Sequence, residues 1–264
     1  MDQQNKNRLH LEKDEASIKK RIDIHSTDSD LSGLLGFVEK FLRKYKFLAF
    51  VFAMIPIAFA YVFCLGLSIT PGYLIVTNTY ALTDGLHLLL KAFLVATSIG
   101  IAYLSLGISL VFIVPIFNKL IPFSNKTWRG NWFSVQTIPW YYHNSLVQLV
   151  RYTFLDLMTP TPLNLYFYKA MGMKIGKNCI INTSNISDPC LIELEDNVTI
   201  GGSVTIFGHY AQGGVLIFAP VKIKKGATIG LKASIMGDVI VGEGVVVPPH
   251  QVLLPKTRLE KEIK

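Results

Sequence analysis

The stretch Ser203–Ile223, SVTIFGHYAQGGVLIFAPVKI, interrupts a periodic pattern. Before it, Leu194, Ile200 and Ile206 fall six residues apart; after it the spacing resumes at Ile223, Ile229, Ile235, Val241 and Val247. From Ile206 to Ile223 is seventeen residues, which six does not divide. A segment has been inserted there, and it carries one histidine, His209.

The repeat runs from Ile175 to about Val252 in units such as IGKNCI, LEDNVT, IGGSVT, IKKGAT, IGLKAS and VGEGVV. Each unit holds an aliphatic residue, often a glycine next, and a small or β-branched residue four places on: Cys179, Val198, Val204, Ala227, Ala233 and Val245. A fixed short period is a repeat architecture. Six is not a helical period, and short runs of Val, Ile and Thr favour strands. Stacked coils would bury the aliphatic residues in a column at the strand spacing of ~4.8 Å, and glycine after each aliphatic residue reads as the bend at each corner. The fold expected is an all-β parallel solenoid.

Upstream the composition changes twice. Residues 1–46 hold ten of the 26 Lys and Arg in a chain of formal charge +8. Residues 1–30 read as a disordered basic and polar tail, and Leu31–Tyr45 as an amphipathic helix on a membrane surface. Phe47–Ile69 and Ala92–Phe117 are uncharged runs of 23 and 26 residues, long enough to span a bilayer, which takes about 20. The expected connecting loop, Thr70–Leu90, has no Lys or Arg, whereas basic residues flank both outer ends. The positive-inside rule then puts the N-terminus and the repeat in the cytoplasm, on an inner (cytoplasmic) membrane. Neither span has a charge deep inside it, so both read as an anchor. The expected organisation is a tail at 1–30, membrane helices within 31–118, a helical linker at 119–170 and the repeat domain at 171–264. Trp128, Trp132, Trp140, Tyr141 and Tyr142 in the linker suit headgroup level, which disfavours nucleic acid as a partner. The linker's one histidine, His143, reads as structural. Cys64, Cys179 and Cys190 have no metal-site spacing and fit a reducing compartment.

Three segments carry a resemblance: PTPLNLYFYKAMGMKIGKNCIIN, ISDPCLIELEDNVTIGG and VTIFGHYAQGGVLIFAPVKIKKGATIG. They resemble the hexapeptide-repeat, left-handed parallel β-helix acyltransferases. Within that family they are similar to the membrane-linked branch related to the C-terminal domain of polylysine-type synthetases. The likeness covers Thr159 to about Leu254. It implies acetyl-CoA, or another acyl-CoA, as co-substrate, a homotrimer, no metal, and a loop histidine as general base, which His209 matches. Imidazole suits that work because its free pKa lies near neutrality. By the same resemblance Gly230 would let the donor's pantetheine arm approach, with Ser234 and Pro248 on the same groove and Lys222 near the CoA phosphates. Lys224, Lys225 and Lys232 would attract those phosphates too, unless they are simply exposed corner lysines. Asp188 and Asn197 would orient the histidine or the acceptor, unless both are simply corner residues. His250 reads as a turn residue.

The function expected is transfer of an acyl group, most simply acetyl, to a hydroxyl or amine of a glycan, lipid-linked or peptide-like acceptor at the inner leaflet. The alternative is a non-catalytic, membrane-anchored scaffold. A γ-type carbonic anhydrase needs three zinc histidines, and the repeat has only His209 and His250. Nucleotide-sugar synthesis needs a Gly-rich phosphate loop, and none precedes the repeat.

Overall fold

The computed structural model describes residues 22–123 and 126–260. Residues 1–21 of the expected tail lie outside these. Over 22–30 the chain is not a free tail, because Ile22 and Ile24 pack against Tyr210, Val215 and Ile217 of the inserted segment.

Three helices follow: α1 (Gly33–Lys44), α2 (Lys46–Leu82) and α3 (Leu88–Asn118). Helices α2 and α3 are long and apolar enough to cross a membrane, and only 22% and 28% of their most apolar windows are buried inside the protein. Both expected spans lie within them, but the expected loop Thr70–Leu90 shrinks to the turn at Thr83–His87. Pro71 and Gly72, within that expected loop, lie inside α2. Hydroxyls there bridge back one turn, Thr70 to the Gly66 carbonyl and Thr79 to that of Ile75. Gly72 instead marks helix contact: a Cβ there would lie 2.9 Å from the Ala102 side chain of α3.

The linker forms β1 (Trp128–Asn131), α4 (Thr137–Val150), a π-helical turn (Arg151–Leu155) and α5 (Pro162–Ala170). It is bolted to the apolar helices. Tyr61 donates to the Ser145 carbonyl at 2.6 Å, Tyr142 donates to the Phe117 carbonyl at 2.9 Å, and the Phe154 ring lies over Gly107. One continuous core runs from Ile57 and Leu110 through Tyr142, Leu146 and Phe154 to Ile181 and Ile200. The linker aromatics were expected at headgroup level, yet Trp140 and Tyr142 are buried in protein. A ring with a polar tip is satisfied equally by a protein acceptor.

The repeat folds as a parallel three-faced solenoid. The first face stacks β2 (Lys174–Ile175), β5 (Ile192–Leu194), β10 (Val221–Ile223), β13 (Ile240–Val241) and β16 (Arg258–Leu259). The second stacks β3 (Ile180–Ile181), β6 (Thr199–Ile200), β11 (Thr228–Ile229) and β14 (Val246–Val247); the third, β4 (Ile186–Ser187), β7 (Thr205–Phe207), β12 (Ser234–Ile235) and β15 (Val252–Leu253). Ile200, Ile229 and Val247 stack in register, as do Ile206, Ile235 and Leu253, forming the expected aliphatic column.

The corners turn for a different reason from the one expected. At nine corners the residue three places after the aliphatic residue takes the left-handed conformation: Asn178, Asn197, Ser203, Gly226, Lys232, Asp238, Gly244, His250 and Lys256. The glycines directly after the aliphatic residues permit close stacking instead. A Cβ on Gly201 would lie 2.7 Å from the Ile229 carbonyl oxygen, and one on Gly230 would lie 2.6 Å from Pro249 N.

The insertion is a β-ribbon rather than a loop. Strands β8 (His209–Gln212) and β9 (Val215–Phe218) pair antiparallel through Gly213 and Gly214, at φ 59° and 80°, the positive angles that a tight two-residue hairpin requires. Strand β1 pairs with β9 from the other side, so the ribbon is held by the linker.

Candidate active site

The register has a second break, one coil below the ribbon at the same corner. From Ile186 to Leu194, which occupy equivalent stacked positions, is eight residues instead of six. The extra length holds a 3-10 turn, Pro189–Leu191, and Asp188 in the left-handed conformation at φ 56°. Ser187 pairs with Phe207, so Asp188 and Gly208 are the next residues out of two stacked strands. Gly208 lets the corners meet, since a Cβ there would lie 2.9 Å from the Asp188 Cβ and 2.6 Å from that of Leu191.

The Asp188 side chain is fully buried and accepts four hydrogen bonds. Oδ1 accepts from the Trp140 indole N–H at 2.7 Å and the Asn144 amide at 2.6 Å. Oδ2 accepts from the Gly208 N–H at 3.0 Å and from His209 Nδ1 at 2.5 Å. Asn144 also accepts from the Asp188 N–H at 3.2 Å. Burial pushes a carboxyl pKa up, but the bond and charge of His209, with the Asn144 bond, bring this one below its ordinary value. Asp188 is thus a fixed anion. Its oxygen holds the proton of His209 on Nδ1 and leaves Nε2 as the basic nitrogen. The His209 side chain is 22% exposed, and among the described residues no group bonds Nε2. Trp140 and Phe207 stand edge-on to the ring at 5.0 and 5.7 Å between centroids.

Such a pair accepts a proton from a bound O–H or N–H. It has no nucleophile beside it. Burial, with the charge of Asp188, pushes the Cys190 thiol up to about 12, so little thiolate exists near neutrality. His143, one turn from Trp140 on α4, is buried and bonded to Asn118 at 2.9 Å. Burial holds its pKa down at about 4, so it stays neutral. Among the described residues no group of three His, Cys, Asp or Glu could hold a metal.

The other sequence candidates divide by face. Gly230 and Pro248 meet at the corner between the second and third faces, and Ser234 lies on the third face, which ends at the ribbon. A cleft of about 280 Å³ opens where that face reaches the ribbon, lined by Tyr210, Gln212, Met236 and Leu254 among others. Lys222 is elsewhere: it is exposed on the first face, 3.7 Å from Glu193, which also meets Lys174 at 3.5 Å. Asn197 is a corner residue at φ 59° whose side chain accepts from Asn178, and His250 is an exposed corner residue. The structure brings Asp188 to His209 and leaves Asn197 apart. Trp140 and Asn144 complete the site without a sequence signal, and the eight-residue step from Ile186 to Leu194 is masked in the sequence by Ile192, six places after Ile186.

No family model matches the chain. A stretch of 70 residues is 36% identical to delta-poly-L-ornithine synthetase of Acinetobacter baumannii, spanning 26% of this chain and 5% of that protein. Crystal structures of serine acetyltransferases from Neisseria gonorrhoeae and Brucella abortus align over 71% of this chain and 85% and 91% of theirs. Both are 16% identical to it, with TM-scores of 0.29 and 0.28, superpositions too loose to bear on function.

Proposed function

We propose that the chain is a membrane-anchored, CoA-dependent acyltransferase, most simply an acetyltransferase, with His209 as general base and Asp188 as the residue that positions it. One observation carries this reading: a fully buried carboxylate with four donors fixes the histidine tautomer and leaves Nε2 unpartnered. Nε2 takes the proton of an acceptor hydroxyl or amine, and the acceptor oxygen or nitrogen bonds to the thioester carbonyl carbon. The C–S bond then breaks, and the CoA thiolate leaves with the proton that His209 returns. The donor lies along the third face by Gly230, Ser234 and Pro248 toward the ribbon. Completing its groove with neighbouring subunits is the task of a homotrimer of left-handed solenoids. Helices α2 and α3 span the bilayer and hold the site at the cytoplasmic leaflet, close to glycan, lipid-linked or peptide-like acceptors. An amine acceptor stays beside a hydroxyl because the partial relative is by name a poly-ornithine synthetase.

The test is acetyl-CoA binding to the full chain in lipid nanodiscs, beside His209→Ala. Saturable binding in the ~1 μM to 1 mM range usual for substrates, kept in the variant, supports the reading. No binding by the folded protein at millimolar donor would overturn it and leave a membrane-anchored scaffold.

A further inference from the structure

The ribbon has two faces, and only one belongs to the donor cleft. Tyr210, Val215 and Ile217 pack toward Met236 of the upper coils, whereas Leu216 and Phe218 pack with Trp128, Trp140 and Leu191. His209 pairs with Phe218, and Phe218 with Trp128. Residues directly opposite across antiparallel strands project to the same face, so His209, Phe218 and Trp128 form one row. Beyond this row lies a second cavity of about 340 Å³, lined by Pro122, Phe123, Lys126, Trp128, Pro139 and Phe218 among others. That is within the range of ligand pockets.

The walls are mainly apolar, with Thr127 and Gln136 the neutral polar residues among them. Phe123 and Trp128 stand 5.2 and 5.0 Å from the Phe218 ring, which meets Trp140, which in turn meets His209. Pro122 and Phe123 come four and five residues after Asn118, where the long apolar helix α3 ends. The cavity therefore runs from the end of a membrane-crossing helix to the residue beside the general base. Its one charged lining residue, Lys126, is exposed and has no acidic partner among the described residues. Apolar walls with a lone cation suit a hydrocarbon chain joined to an anionic headgroup.

We propose that this cavity holds the chain of an anionic membrane lipid whose headgroup hydroxyl or amine is the acceptor presented to His209. The proposal rests on the acyl-transfer reading and names its acceptor class. The rival occupant, a long acyl chain on the donor, would have to cross the ribbon from the Met236 side.

The test uses the full chain in nanodiscs, with dodecyl phosphate, butyl phosphate and dodecanol as probes, read by tryptophan fluorescence. Thr127 and Gln136 line the cavity and are exposed, so Thr127→Trp and Gln136→Trp fill it without disturbing the core. Saturable dodecyl phosphate binding, at least tenfold weaker in either variant and absent for butyl phosphate, is expected. Lys126→Glu should weaken dodecyl phosphate several-fold and leave dodecanol unchanged. Equal binding in the filled variants, or none in the wild type, overturns the proposal. So does myristoyl-CoA binding that exceeds acetyl-CoA binding only while the cavity is open. Acetyl-CoA binding is measured in parallel: if it is absent while the lipid pattern holds, the transfer reading falls and the lipid cavity stands.

Discussion

The upper coils of the solenoid, Ile223 to Leu259, keep the eighteen-residue turn without a break, whereas the lower coils shorten one step, from Ile181 to Ile186, and lengthen twice at the next corner. The upper coils bury Val, Ile and Ala and place a left-handed residue at each corner. At the broken corner the chain buries a carboxylate, an indole N–H and an amide instead. Buried polar groups are costly unless paired, so the departures from the repeat mark where something other than stacking is being held in place. The upper coils keep the stacking that the proposed donor groove needs, and the proposed base and its carboxylate stand at the lower corner.

Four substitutions sharpen or break this division. His209→Ala should lower acyl transfer by about 10²–10⁴-fold, the usual worth of a general base, with donor binding kept; a rate within threefold of wild type would remove chemistry from the lower corner. Asp188→Asn should lower the rate by up to about 10⁴-fold through the wrong tautomer, again with donor binding kept. Its pH signature is separate. The folded pKa lies below the unfolded value, so the stability this carboxylate contributes is present above about pH 4 and lost as pH falls further. The variant should lack that acid loss in thermal melts.

His143 probes the polar side of the comparison at milder pH. Its folded pKa of about 4 lies below the ordinary ~6.5, so the unfolded state takes up the extra proton between these values. Stability should fall by roughly 3 kcal/mol as pH drops from 7 to 4, and His143→Phe should flatten that slope. An unchanged slope in the variant would place the proton elsewhere. Smallest is Gly242→Ala in the upper coils, where the new Cβ would lie 2.6 Å from the Leu259 carbonyl oxygen. It should cost about 1–3 kcal/mol and leave the rate per folded molecule unchanged. A drop in that rate would mean that stacking at this coil reaches the proposed donor groove.

The aliphatic column was legible because stacking imposes one period on every coil, and His209 was legible because it sits where that period fails. The weaker break at Asp188 was obscured, since Leu191 and Ile192 supply aliphatic residues near the expected position and hide an extra two residues. The expected loop at Thr70–Leu90 was too long for another reason. The run Phe47–Ile69 puts the start of a loop at Thr70, but Thr70–Leu82 continues α2, with the Thr70 and Thr79 hydroxyls bonded one turn back. Trp140 was assigned to headgroups by its neighbours along the chain, and its actual partner, Asp188, is 48 positions away.

By itself the sequence determined the solenoid, its interrupted corner, the histidine there and two apolar helices, because each is a local pattern of residue type and spacing. Only the tertiary structure decided that Asp188 faces His209, that Trp140 and Asn144 clamp the carboxylate, and that the insertion is a ribbon paired to β1. Those contacts join segments 21 to about 90 residues apart. They exist because coil stacking sets one corner on another and the linker helix packs across both, which no spacing along the chain records.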